Sequence, residues 1–106
     1  MNPQFKKGVL ELIVLSIIVK QDQYGYTIIK IILEYISISE GSVYPILRRL
    51  VKNQYLDTYY EPSKEGPPRR YYSITEEGKK RLKLLTAEWK SLQEGVDTLL
   101  KGSEVK

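Results

Sequence analysis

Midway along the chain the spacing of apolar residues changes period, and that change narrows the fold more than any other feature. Val43, Ile46, Leu47, Leu50 and Val51 fall at i, i+3, i+4, i+7 and i+8, which is one apolar face of a helix. Residues 55–61 and 69–74 are instead rich in Tyr, Thr and Ile and read as strands. Between the strands lies Pro62-Ser63-Lys64-Glu65-Gly66-Pro67-Pro68, where Gly and Pro dictate a loop. A helix is therefore followed by a β-hairpin with a long tip, whose return arm Pro67 and Pro68 hold extended.

The segments on either side are helical. Residues 9–19 are apolar on nearly every side except at Glu11 and Ser16, so a helix there needs cover all round. In so small a domain this suggests one side against the core and another against a partner. After the polar break Gln21-Asp22-Gln23, residues 24–36 place Ile28, Ile29, Ile32 and Ile36 at helical spacing, although so much isoleucine would also suit a strand. Ser37-Ile38-Ser39-Glu40-Gly41 is a connector. Ser39 can cap the third helix, Pro45 is tolerated in its first turn, and Asn53 can stop it. Past the hairpin, Thr75 can cap a last helix whose first turn carries Glu76 and Glu77, favourable at the positive end of the helix dipole. Leu82, Leu85, Trp89, Leu92, Val96 and Leu99 then follow alternating spacings of three and four, an a/d seam of under three heptads. Gly95 weakens that helix, and the tail from Lys101 is expected to fray.

Composition removes whole classes of chemistry. The 106 residues contain no cysteine and no histidine. Disulfides, thiolate zinc sites, a Ser-His-Asp triad and the usual metal-binding motifs cannot be assembled. An enzyme would have to work with Lys, Tyr and carboxylates alone, and no activated nucleophile or acid–base pair can be named. No metal or cofactor is expected. The apolar stretch at 9–19 is too short to span a bilayer and has no small-residue cleavage site, so a cytoplasmic protein is the expectation.

Charge is placed unevenly. Residues 1–47 hold four basic and four acidic side chains, residues 48–90 eleven and six, and residues 91–106 two and three. The whole excess of the net +4 thus lies in the middle, the pattern of a polyanion-binding face. The outer face of the third helix carries Ser42, Tyr44, Arg48, Arg49 and Lys52, and the major groove admits one helix. The fold class expected is mainly α with a small β-hairpin: a winged helix-turn-helix domain over 1–75, then a C-terminal dimerisation helix and tail over 76–106.

Four ordered blocks carry a family resemblance. They are Lys7-Gly8-Val9-Leu10-Glu11-Leu12, Tyr24-Gly25-Tyr26, Gly41-Ser42-Val43-Tyr44-Pro45-Ile46-Leu47-Arg48-Arg49-Leu50, and Gly66-Pro67-Pro68-Arg69-Arg70-Tyr71-Tyr72-Ser73-Ile74-Thr75-Glu76-Glu77-Gly78, followed by Trp89. Over about residues 6–100 the chain resembles the PadR family of transcription regulators, in its short subgroup with one C-terminal helix. Ser42 stands where the family often has Thr, which keeps the hydroxyl. The resemblance implies a homodimeric repressor on an inverted-repeat operator. It also implies that Tyr24 donates its hydroxyl to a phosphate, and that a planar apolar effector can bind between a pair of Trp89 side chains.

The expected DNA-binding residues are Tyr24, Ser42, Tyr44, Arg48, Arg49 and Lys52, with Lys64, Arg69 and Arg70 on the wing. Arginine can grip guanine by two parallel hydrogen bonds, while phosphate contacts only position the protein. Arg48 and Arg49 lie 100° apart on the helix, so spacing does not say which one meets bases. Arg69 and Arg70 alternate on a strand, so one of them points away from whatever the other touches. The bland alternative for the third-helix residues is a solvated face, and for Tyr24 a tyrosine at the edge of the core. Leu82, Leu85, Trp89, Leu92, Val96 and Leu99 are the expected dimer interface. Trp89 is the candidate effector site, against the alternative of a packed interface residue. The competing functions are a small-molecule sensor with DNA binding secondary, and a winged-helix module that binds protein only.

Overall fold

The computed structural model describes residues 3–103, with side chains from residue 7 onward. Its elements are α1 (Pro3–Ile18), a two-residue strand β1 (Gln23–Tyr24), α2 (Gly25–Tyr35), a 3-10 turn (Glu40–Ser42), α3 (Val43–Lys52), β2 (Leu56–Ser63), β3 (Gly66–Ile74) and α4 (Glu76–Leu100). The strands form one antiparallel sheet in the order β1-β3-β2. This is the winged-helix plan: three helices, a hairpin, and a long closing helix.

The core forms where the apolar lines of the first three helices meet. Val14 and Leu15 of α1, Ile28 of α2, and Val43, Leu47 and Leu50 of α3 are wholly enclosed. Leu56 and Tyr72 bring the sheet against them, and Leu85 brings α4. Residues 24–36, ambiguous between helix and strand, are helical because Ile28, Ile29 and Ile32 supply one contiguous buried face.

Two local expectations are corrected. Ser39 does not cap α3 with its side chain; a 3-10 turn intervenes, and the Ser39 and Ser42 hydroxyls lie 2.9 Å from each other. The hairpin has no long tip. Both strands run into the expected loop until Ser63 pairs with Gly66, leaving Lys64-Glu65 as the turn. The register slips between Glu61 and Ser63, so Pro67 and Pro68 stand opposite Pro62 alone. A bulge is where prolines, lacking an N–H donor, can sit in a sheet.

The end of α3 sets where the wing and α4 go. Gln54 N donates to Val51 O and Tyr55 N to Leu50 O, the paired bonds that close a helix with a left-handed residue. That residue is Gln54 (φ 65°), one beyond the expected stop at Asn53. Thr75 then ties α4 back to this corner, donating its hydroxyl to Gln54 O (2.7 Å) and its amide to Tyr55 O (3.1 Å). The Thr75 hydroxyl also accepts from Gly78 N (2.9 Å), so the expected cap is formed. Gly78 passes so close to Tyr55 that any Cβ there would collide with the Tyr55 carbonyl oxygen.

Candidate nucleic-acid interface

The sidedness of α3 follows from its sequence. With Val43, Ile46, Leu47 and Leu50 buried, Tyr44, Arg48 and Lys52 are left on the outside. Ser42 stands half-buried at the start of the helix. The short strand β1, invisible to period analysis because it has two residues, pairs Gln23 with Tyr72 and Tyr24 with Tyr71. That pairing draws the N-terminus of α2 against the wing. Tyr24, Tyr44, Arg48 and Arg70 consequently line one cleft, floored by Gly25 and Tyr72. Residues from three separate stretches of sequence converge there.

The cations are held in defined positions. The Arg70 guanidinium lies over the Tyr72 ring, 5.4 Å from its centroid, and Arg69 over the Tyr24 ring at 5.1 Å. Such placements orient an arginine without consuming its hydrogen-bond donors. As strand alternation requires, the two arginines serve opposite faces of β3. Burial pushes the Tyr72 phenol above its ordinary pKa, while Arg70 and Arg48 nearby act in the other direction. Lys64 stands exposed at the tip of the wing, away from this cleft.

Arg49 is placed differently from its neighbour. It turns back toward α1, where its Nη2 lies 3.3 Å from Glu11 Oε2, and Arg81 of α4 donates Nε to Glu11 Oε1 at 2.7 Å. The Glu11 side chain is 8% exposed, and those of Arg49 and Arg81 are 26% and 32%. Burial, then the neighbouring Arg81, lowers the Arg49 pKa; the hydrogen bond to Glu11 raises that of Arg81. One carboxylate thereby links α1, α3 and α4. Of the two arginines expected on the outer face, Arg48 is the exposed one and Arg49 is half-buried in an ion pair. A lone acid inside the apolar run of 9–19 was the available sequence signal for this link.

The C-terminal seam divides in two. Leu85 is buried in the protomer core and Leu82 packs against it. Both are therefore packed within their own protomer, unlike the rest of the seam. Trp89, Leu92, Val96 and Leu99 remain exposed. Trp89 borders a cleft of about 220 Å3 shared with Gly8, Val9 and Leu12 of α1 and Leu85 and Leu92 of α4. Among the described residues no group of side chains could hold a metal ion, and no helix is long and apolar enough to cross a membrane.

Fold and cleft together define a winged helix-turn-helix protein with a cationic face. Residues 14–84 match the transcriptional regulator PadR-like family. Several solved structures are similar over nearly the whole chain. A Streptococcus transcriptional regulator is 35% identical, with a TM-score of 0.82, over 92% of this chain and 98% of that one. A PadR-like transcriptional regulator from Bacillus cereus is 37% identical, with a TM-score of 0.80, over 93% and 98%. Bacillus subtilis PadR in complex with operator DNA shares the fold at 23% identity and a TM-score of 0.64, over 70% of this chain and 43% of that one. The chain belongs to the PadR-like family of transcriptional regulators. It is a DNA-binding regulator and not an enzyme.

Proposed function

We propose that the protein is a cytoplasmic homodimeric repressor that lays α3 in the major groove of an inverted-repeat operator. The observation that carries this reading is the convergence of Tyr44, Arg48 and Arg70 beside Tyr24 on one exposed face. Arg48 reads base edges, assisted by Tyr44, while Ser42, Tyr24, Lys52, Arg70 and, at the wing tip, Lys64 hold phosphates. Arg49 acts from behind, keeping α3 in register with α1 and α4. The complex of Bacillus subtilis PadR with operator DNA supports the same use of a shared fold.

The dimer forms along Trp89, Leu92, Val96 and Leu99, whose exposure is otherwise costly for a helix face of this size. Two-fold symmetry then sets half-sites about 10 base pairs, one helical turn, apart. The cleft at Trp89 is smaller, at about 220 Å3, than the roughly 300–1,000 Å3 of ligand pockets. A second copy completes it, and a planar apolar effector enters between the two tryptophans. Binding there shifts the population toward a dimer whose two α3 helices no longer match successive grooves.

The test is fluorescence anisotropy against duplex DNA from upstream of the protein's own gene, over a series of salt concentrations. The expected result is tight binding whose logarithm falls with log salt by about 0.9 per neutralised phosphate, and which outlasts competition by unrelated duplex. A folded protein that fails to bind at low salt overturns the reading. For the effector, Trp89→Ala is expected to abolish binding of planar aromatic compounds, and unchanged binding sinks that part alone.

A further inference from the structure

Tyr24 is the junction of three adjoining clefts. One runs toward α3, with Arg48 and Arg70; one toward the wing tip, past Pro68; and one along α2, past Lys30. The third shares Tyr24 and Tyr26 with the first but none of Tyr44, Arg48 and Arg70. It lies between α2 and β3 and is lined by Tyr24, Tyr26, Lys30, Glu34 and Arg69.

Four of these side chains form a continuous ladder. Lys30 Nζ lies 5.7 Å from the centre of the Tyr26 ring, Tyr26 and Tyr24 are 6.3 Å apart, and the Arg69 guanidinium lies 5.1 Å from the Tyr24 ring. Two cations are thus held at the ends of a two-ring wall, and each keeps N–H donors free for an anion because a ring face takes none. Lys30, Tyr26 and Arg69 are all exposed. The only acid in the cleft is Glu34, one helical turn beyond Lys30, so an anion is drawn toward the Arg69 end.

We propose that this α2–β3 cleft is a second anion seat, which takes a backbone phosphate of duplex DNA beside the groove occupied by α3. The inference rests on the proposed DNA binding and extends it to Tyr26 and Lys30. DNA crossing the Arg48–Arg70 cleft carries its phosphates past Tyr24, and the ladder receives them along α2. The seat is blind to sequence, since it offers only cations and hydroxyls to a phosphodiester.

The experiment is the salt dependence of anisotropy on a random-sequence, fluorescein-labelled duplex, where binding is wholly electrostatic. Lys30→Gln is expected to reduce the magnitude of the log–log slope by about 0.9 per protomer bound, and Lys30→Arg to restore it. Glu34→Gln is expected to strengthen binding, and a weakening counts against the seat. A slope unmoved by Lys30→Gln, in a protein that otherwise binds, overturns this inference alone. A wild-type protein that does not bind the duplex overturns the parent reading and the seat with it.

Discussion

Leu47 and Leu99 are the same side chain on the inner line of an amphipathic helix, yet Leu47 is 0% exposed and Leu99 is 81% exposed. The contrast extends to whole regions. The first three helices and the sheet bury the inner lines of their apolar residues, whereas α4 is exposed at every position from Ala87 to Leu100. Length explains the difference. At 1.5 Å per residue the 25 residues of α4 run about 37 Å, and the 16 of α1 that back it run about 24 Å. The overhang carries the rest of the heptad pattern beyond anything in its own chain. Packing within the protomer ends at Leu85, and the large apolar residues past it are exposed.

Truncating the two leucines breaks or sharpens that division most sharply. Leu47→Ala is expected to cost about 2–5 kcal/mol in denaturant unfolding, because the enclosed site cannot collapse fully around the missing atoms. Leu99→Ala should stay within about 0.5 kcal/mol under dilute conditions. Its effect should appear instead in sedimentation, as a lower average mass at a given concentration. Equal stability losses for the two variants would mean that the overhang is part of the folding unit.

The Glu11 link joins the two regions, since it spans α1, α3 and the first half of α4. Glu11→Gln is expected to destabilise by about 1.5–3 kcal/mol, the range for hydrogen bonds to charged groups. The partly exposed arginines hold it below the figure for a fully buried triad. A double-mutant cycle with Arg81→Met that gave a coupling under about 0.5 kcal/mol would show that the helices are docked by apolar packing alone.

The smallest expected effect belongs to the sheet. The Tyr59 hydroxyl donates to Asp22 Oδ2 at 2.7 Å, tying β2 to the turn after α1. That hydrogen bond, more than any other cause, pushes the Tyr59 pKa up to about 12. The folded value is raised, so the stability it contributes is complete below about pH 10 and is lost as pH climbs through 12. In a spectrophotometric titration of the nine tyrosines, Tyr59→Phe should remove a late-ionising group and flatten the stability loss above pH 10. An unchanged alkaline limb would show that the Asp22 bond does not persist in solution.

Much of the fold was legible because it rests on local regularities. The apolar face of α3, the period-two strands and the Thr75 cap each involve residues within a turn or a pair of one another. The exposed face of α3 was legible for the same reason: with four buried positions assigned, Arg48 and Lys52 have nowhere else to point. Tyr26 and Lys30 were not legible as a site, because their partners Tyr24 and Arg69 come together only when β1 pairs with β3. The length of the wing tip was misjudged because Pro67 and Pro68 sit in a bulge, which local turn chemistry does not distinguish from a loop.

The separation of Arg48 from Arg49 marks the boundary between the two kinds of information. Sequence alone determined that a basic helix face precedes a hairpin, that the positive excess lies in the middle of the chain, and that no cysteine or histidine chemistry is available. It determined these because periodicity, charge and composition are properties of neighbours or of totals. Tertiary structure decided that Glu11, 38 residues before Arg49 and 70 before Arg81, claims both guanidinium groups. It likewise decided that the seam is buried at Leu85 and exposed from Trp89 onward. A buried carboxylate must find its cations wherever the packed helices bring them, and an apolar stripe is covered only as far as its neighbour reaches.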